Sequence, residues 1–85
     1  MPHYFFDVRD GTYMPDREGT ELAGLAAARV AAVELAGALL KDNPAKFWDG
    51  DDWRIEVKDD GNVILFVLHF SATDSAAVSR QSAIA

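Results

Sequence analysis

His3-Tyr4-Phe5-Phe6-Asp7-Val8-Arg9-Asp10-Gly11 (HYFFDVRDG) is the stretch from which the rest of the chain is read. Tyr4, Phe6 and Val8 alternate with Phe5, Asp7 and Arg9, the period-two pattern of a strand with one face fitted for burial. Tyr4, Phe6 and Val8 are expected to pack inward, leaving His3, Phe5, Asp7 and Arg9 on the opposite face. Asp10-Gly11 then marks a tight turn, because glycine takes positive φ at little cost. Thr12-Tyr13-Met14 returns as a short second strand. Pro15 has no N–H for a ladder, so that strand is predicted to lie at an edge and stop there, with residues 16–19 as a loop.

Beyond that hairpin, Leu25 to Lys41 contains no proline and is rich in alanine. Leu25, Ala28, Ala32, Leu35, Ala36 and Leu39 share one face at helical spacing, which predicts a helix capped by Gly24 and ended by Asp42-Asn43-Pro44. The small residues Ala28, Ala32 and Ala36 allow this helix to lie close to a sheet. Residues 45–52 (AKFWDGDD) read as a connector whose Phe47 and Trp48 cover an open end of the core. Trp53, Ile55 and Val57 alternate with Arg54, Glu56 and Lys58 as a half-buried strand, and Asp59-Asp60-Gly61-Asn62 forms a second hairpin turn. Val63 to Phe70 (VILFVLHF) is apolar on both faces, a pattern that predicts a central strand or one covered on its second face.

The expected fold is therefore α+β, in the order β-β-α-β-β, with an antiparallel four-stranded sheet and one long helix on one face. Residues 1–71 form a single domain, and residues 72–85, rich in alanine and serine, form a flexible or short helical tail. A length of 85 residues allows one modest core and leaves no room for separate substrate and cofactor domains.

Composition narrows the function. No cysteine is present, which removes disulfides, thiolate metal sites and a cysteine nucleophile, and suits a reducing compartment. The first residues lack the basic start and apolar run of a signal peptide, and no apolar run approaches the about 18 residues of a membrane span, so a cytoplasmic chain with no membrane contact is expected. The formal charge is −6, with acids concentrated between Asp42 and Gly61. Such a surface repels phosphate backbones and disfavours direct nucleic-acid binding.

A wider pattern runs through the chain: Tyr4-Phe5-Phe6, Val8-Arg9-Asp10-Gly11, Asp16, Gly19, Glu21-Leu22, Ala27-Ala28-Arg29, Trp53-Arg54-Ile55-Glu56-Val57, Asp59, Gly61 and Phe70. Together these resemble an uncharacterised family of short proteobacterial proteins, common in rhizobial-type soil bacteria, over residues 3–71. The resemblance implies a β-β-α-β-β domain of unknown function and transfers no catalytic residues. The chain departs from the pattern at Gly24, where a better capping residue is expected, and in its tail. The order of elements also resembles, at the level of fold alone, the antitoxin half of HicAB-type toxin-antitoxin pairs.

The candidate sites are few. His3 and His69, on the first and last strands, become neighbours if those strands pair, and with Asp7 they would make a metal site, but no metal-ligand spacing such as HxH or HExxH is present. Asp49, Asp51 and Asp52 lack the ligand spacing of a calcium loop and read as a solvated acidic turn. Arg29, at the margin of the apolar helix face, is expected to form a structural ion pair with Asp7, Asp16 or Glu18. No nucleophile motif, phosphate loop or dinucleotide fingerprint occurs. Catalytic, metal and cofactor residues are therefore expected to be none.

The remaining signal is surplus apolar surface: Phe5, Tyr13, Phe47, Trp48, Val63, Leu65 and Val67 exceed what one helix over one sheet face should hide. This predicts a non-enzymatic protein-interaction or regulatory module acting as a homodimer through the open sheet face or an edge strand, with an unidentified protein partner as the other source of cover. Two alternatives stand beside it. One is an antitoxin-like or nucleic-acid-linked regulator that needs a basic partner, and the other a small metal-dependent hydrolase using His3, His69 and nearby acids.

Overall fold

The computed structural model describes residues 1–49 and 53–78. In chain order the elements are β1 (His3–Asp10), β2 (Tyr13–Met14), β3 (Thr20–Glu21), α1 (Leu25–Asp42), α2 (Pro44–Asp49), β4 (Trp53–Lys58) and β5 (Ile64–Phe70). The strands pair antiparallel in the order β2-β1-β4-β5, and β3 pairs with the first residues of β1. The α+β fold and the helix on one sheet face are as the sequence predicts. A fifth strand and a second helix are added to the expected elements.

Both turns form where their residues demand them. Gly11 sits at φ 93°, and the Asp10 carboxylate accepts the Thr12 N–H at 3.4 Å. In the β4–β5 turn the Asp59 carboxylate accepts the Gly61 and Val63 N–H groups at 2.8 and 3.0 Å, and Asn62 takes the left-handed conformation at φ 65° that asparagine tolerates.

The register explains the core. Phe6 stands opposite Val57, Val8 opposite Ile55, and Ile55 and Val57 in turn stand opposite Leu68 and Phe66. These side chains make one continuous apolar face, against which α1 lays Ala28, Ala32 and Ala36, all buried, with Leu35 and Leu39 at the flanks. Alanine at every fourth position brings the helix backbone close to the sheet, so the strands supply most of the core volume. Ile55 and Val57 are fully enclosed, and burying each side chain contributes about 1.5–3 kcal/mol.

Two expectations change. Val63 to Phe70 is not a central strand: β4 occupies the centre, with β1 on one side, so β5 has a single neighbour and forms an edge. Its tight hairpin to β4 accounts for this, because β1 already fills the other side of β4. The segment after α1 is not a plain connector either. Pro44 ends α1 but also opens α2, since proline lacks an N–H that the first helical turn would leave unbonded in any case. In the tail, residues 76–78 make a helical turn with Val78 N–H bonded to the Ser75 carbonyl at 3.1 Å.

Candidate interaction site

The sheet face away from α1 is a lattice of charges, because residues one position out of phase with the core line up across the strands. Asp7 stands opposite Glu56, Arg9 opposite Arg54 and Phe5 opposite Lys58. Lys58 Nζ reaches Asp7 Oδ2 at 2.7 Å, the Tyr13 hydroxyl donates to the same oxygen at 3.1 Å, and the Asp16 N–H donates to Asp7 Oδ1 at 2.9 Å. Beside them Arg9 Nε donates to Glu56 Oε1 at 3.2 Å, Arg54 Nε lies 3.5 Å from Glu56 Oε2, and the Arg9 guanidinium stacks 4.1 Å over the Tyr13 ring.

Burial pushes the Asp7 carboxyl up. The hydrogen bonds from Lys58, the Asp16 N–H and Tyr13, with the charge of Lys58, outweigh it and hold its pKa below the ordinary carboxylate value of 3.8. Lys58 is raised from 10.5, chiefly by its hydrogen bond to Asp7. A carboxylate so firmly ionised and so fully bonded is poorly matched to proton transfer near neutral pH, where a general base needs a pKa close to the working value. The cluster fastens strands together.

Asp16 extends the fastening along the edge of β1. Its Oδ2 accepts the Phe6 N–H at 3.1 Å, and its Oδ1 accepts the Glu18 and Gly19 N–H groups at 3.2 and 3.0 Å. The loop between β2 and β3 is thereby closed onto β1, which lets Thr20 and Glu21 pair with Tyr4 and His3. At the far end of β1, the buried Asp10 carboxylate holds Lys46 of α2 at 3.2 Å.

The sequence-predicted residues fall into separate groups. Phe5 is half-buried on the charged face with its ring 5.5 Å from that of His3, and Tyr13 lies beneath Arg9. Val67 stands opposite Glu56 on the same side, while Val63 and Leu65 are exposed along the β4–β5 turn and the β5 edge. Phe47 and Trp48 are on α2, where Phe47 packs edge-on against Trp53 with ring centroids 5.6 Å apart. The ion pair expected of Arg29 does not form. Arg29 is exposed, and Asp7 takes Lys58 instead, because the β1–β4 register brings that cation within reach from the neighbouring strand.

His3 and His69 are not brought together, since β4 separates their strands and His69 pairs with Arg54, at the end of the sheet away from His3. Among the described residues no group of three or more potential ligands is placed to hold a metal ion. Asp49 ends α2, and the remainder of the acidic loop, residues 50–52, lies outside the described residues.

What the sequence reading missed is the relation of α1 to β5. Val30 and Val33 on the outer side of α1 are each 61% exposed, and with Leu40 and Leu68 the latter borders an apolar groove of about 610 Å³ between α1 and the β5 edge. The alanine stripe identified the buried face of α1 and gave no sign that its flank would overhang an unpaired strand.

The family model described as "Domain of unknown function (DUF6894)" matches residues 3–71. The chain belongs to this family. The DUF6894 match begins at the first residue of β1 and ends one residue after β5, so it takes in every element described above. No curated protein and no solved structure matches the chain. No helix among the described residues is long and apolar enough to cross a membrane.

Proposed function

We propose that the chain is a non-enzymatic interaction module that works as a homodimer, joined edge to edge through β5. The observation that carries this reading is the β5 edge itself: seven residues, ILFVLHF, with a backbone paired on one side only and Ile64 and Leu65 exposed. Unprotected edges of this kind template further strands, and folded proteins ordinarily shorten, charge or cover them. A second copy related by a two-fold axis covers it with the same surface, pairing β5 antiparallel to β5 and extending the sheet through both subunits.

The apolar groove beside β5 supports the same occupant. A helix seated over β4 stands about 1.5 strand spacings, or roughly 7 Å, from such an axis. The two copies of α1 would then be about 14 Å apart, wider than the 8–10 Å of direct helix packing. Side chains such as Val33, Leu40 and Leu68 from both copies would fill that gap. The absence of cysteine fits work in the reducing cytoplasm.

Light scattering across a dilution series, at low and high salt, tests the proposal. A dimer mass that persists at micromolar concentration and changes little with salt is the expected result, since the contact is apolar. A monomer at every concentration would overturn it.

A further inference from the structure

Along the β1 edge, on the side where α1 packs, a second groove of about 450 Å³ lies between the helix and the loop that closes the edge. Phe6 and Val8 line it from β1, Ala31 and Leu35 from α1, and Met14 and Pro15 from the end of β2. Asp16 and Thr20 complete the lining. The polar and apolar parts are ordered along the strand: Thr20 stands opposite Tyr4, Asp16 accepts the Phe6 N–H at 3.1 Å, and Met14 stands opposite Val8. At about 3.3 Å per residue, the levels of Thr20 and Met14 are about 13 Å apart. The groove thus has an oxygen-bearing end and an apolar end.

We propose that this groove binds an amphiphilic primary amine, its ammonium held by Asp16 and Thr20 and its apolar chain laid over Phe6 and Val8 toward Met14 and Leu35. Charge carries the argument. Asp16 is the one ionisable residue of the lining, and no lysine, arginine or histidine among the described residues pairs with it. It accepts three backbone N–H groups, from Phe6, Glu18 and Gly19, whereas a carboxylate has about four acceptor sites. An ammonium supplies the missing donor and the missing charge. An acid would meet Asp16 on a chain of net charge −6, and an uncharged apolar molecule would cover the remaining acceptor site without bonding it. An added strand is refused, because Asp16 already holds the Phe6 N–H. The volume falls within the roughly 300–1,000 Å³ of small-molecule sites, and Met14, 43% exposed, is a flexible wall that adapts to a chain.

The test uses the whole chain and three probes of one length: octylamine, 1-octanol and octanoate, followed by amide chemical shifts. Octylamine should saturate in the millimolar range, with shifts confined to residues 6–8, 14–20 and 31–35. Octanol should bind about tenfold more weakly and octanoate more weakly still, because the charge-assisted hydrogen bond is lost and then reversed. Asp16→Asn should bring octylamine down to the level of octanol. Since Asp16 also seats the loop, Ala31→Leu is the second variant: it fills the groove from a helix position that leucine suits, and should weaken octylamine at least about tenfold with the circular dichroism spectrum unchanged. No saturation up to about 10 mM, equal binding of the three probes, shifts centred on another surface, or a folded Ala31→Leu variant that binds as the wild type does would overturn the proposal.

Discussion

Along the β1 edge of the sheet, two partner strands of two residues each are separated by residues 15–19, whereas along the β5 edge seven residues run without proline, glycine, lysine or an acid. The first edge is closed from within. Asp16 takes the Phe6 N–H that another strand would have bonded, and Asp7 holds the loop by the Asp16 N–H. The second edge has no such device, and its one ionisable side chain is His69. Short strands, a proline and carboxylates bonded to backbone amides are the ordinary means by which a sheet refuses further partners. The two edges of this sheet therefore differ in how they are protected, and that difference is what the proposed β5 contact rests on.

The largest effect is expected from charging the open edge. Leu65→Lys alters a residue 41% exposed, so the monomer should keep its thermal midpoint within a degree or two. In the proposed dimer it would carry an ammonium into a dry strand pair, and the dissociation constant should rise by about 100-fold, equivalent to about 3 kcal/mol. Sedimentation equilibrium on the wild type and the variant measures this directly. An unchanged constant would move the self-contact away from β5 and remove the contrast between the edges.

Next in size is the loss of the fastening at the closed edge. Asp7→Ala leaves the Lys58 ammonium, the Tyr13 hydroxyl and the Asp16 N–H without their shared acceptor. Breaking one member of such a cluster should destabilise the fold by about 2–3 kcal/mol, read from urea denaturation. The pH dependence gives the sign. Because the folded pKa of Asp7 lies below 3.8, its contribution is complete well above that value, and it fades as pH falls through 3.8 toward the depressed folded pKa. The gap between wild type and variant should therefore be constant from about pH 6 to 8 and narrow below about pH 4. A gap that stays constant through acid would mean that Asp7 contributes by packing alone.

The closed edge was only partly legible in the sequence, and for physical reasons. Alternation in HYFFDVRDG and the Asp-Gly turn are local signals, and β1 forms as they predict. So does α1, whose alanine spacing and Pro44 stop are equally local. Thr20 and Glu21 carry no strand pattern of their own; they pair because Asp16, ten residues from Phe6 in sequence, reaches back to it. The partner of Asp7 lies 51 positions away on β4, a match set by register, whereas the position of Arg29 at the margin of the apolar helix face is a local feature that says nothing of that register. In the same way, apolarity on both faces of VILFVLHF cannot distinguish a strand with two neighbours from one that awaits a second. Apolar residues such as Phe5, Trp48 and Leu65 were recognisable individually, but their division among three surfaces depends on the strand order.

The smallest of these effects tests how firmly the closed edge is locked. Gly19 lies at φ 72°, and a Cβ there would fall 2.5 Å from His3 Cδ2 and 2.8 Å from Phe5 Cε2. Gly11, at φ 93°, has nothing within 4 Å of the same position. Alanine at Gly11 thus meets only the backbone cost of positive φ, about 1 kcal/mol. Alanine at Gly19 adds the displacement of the His3 ring, whose Nε2 donates to the Glu18 carbonyl at 3.0 Å, and should cost about 1–2 kcal/mol. The excess of Gly19→Ala over Gly11→Ala, measured by denaturation of the two variants in parallel, reports how tightly the loop is seated on β1. Equal losses would mean that His3 swings aside freely; the loop would then be a cover that lifts, and the β1 edge would be open to strand addition in the way proposed for β5.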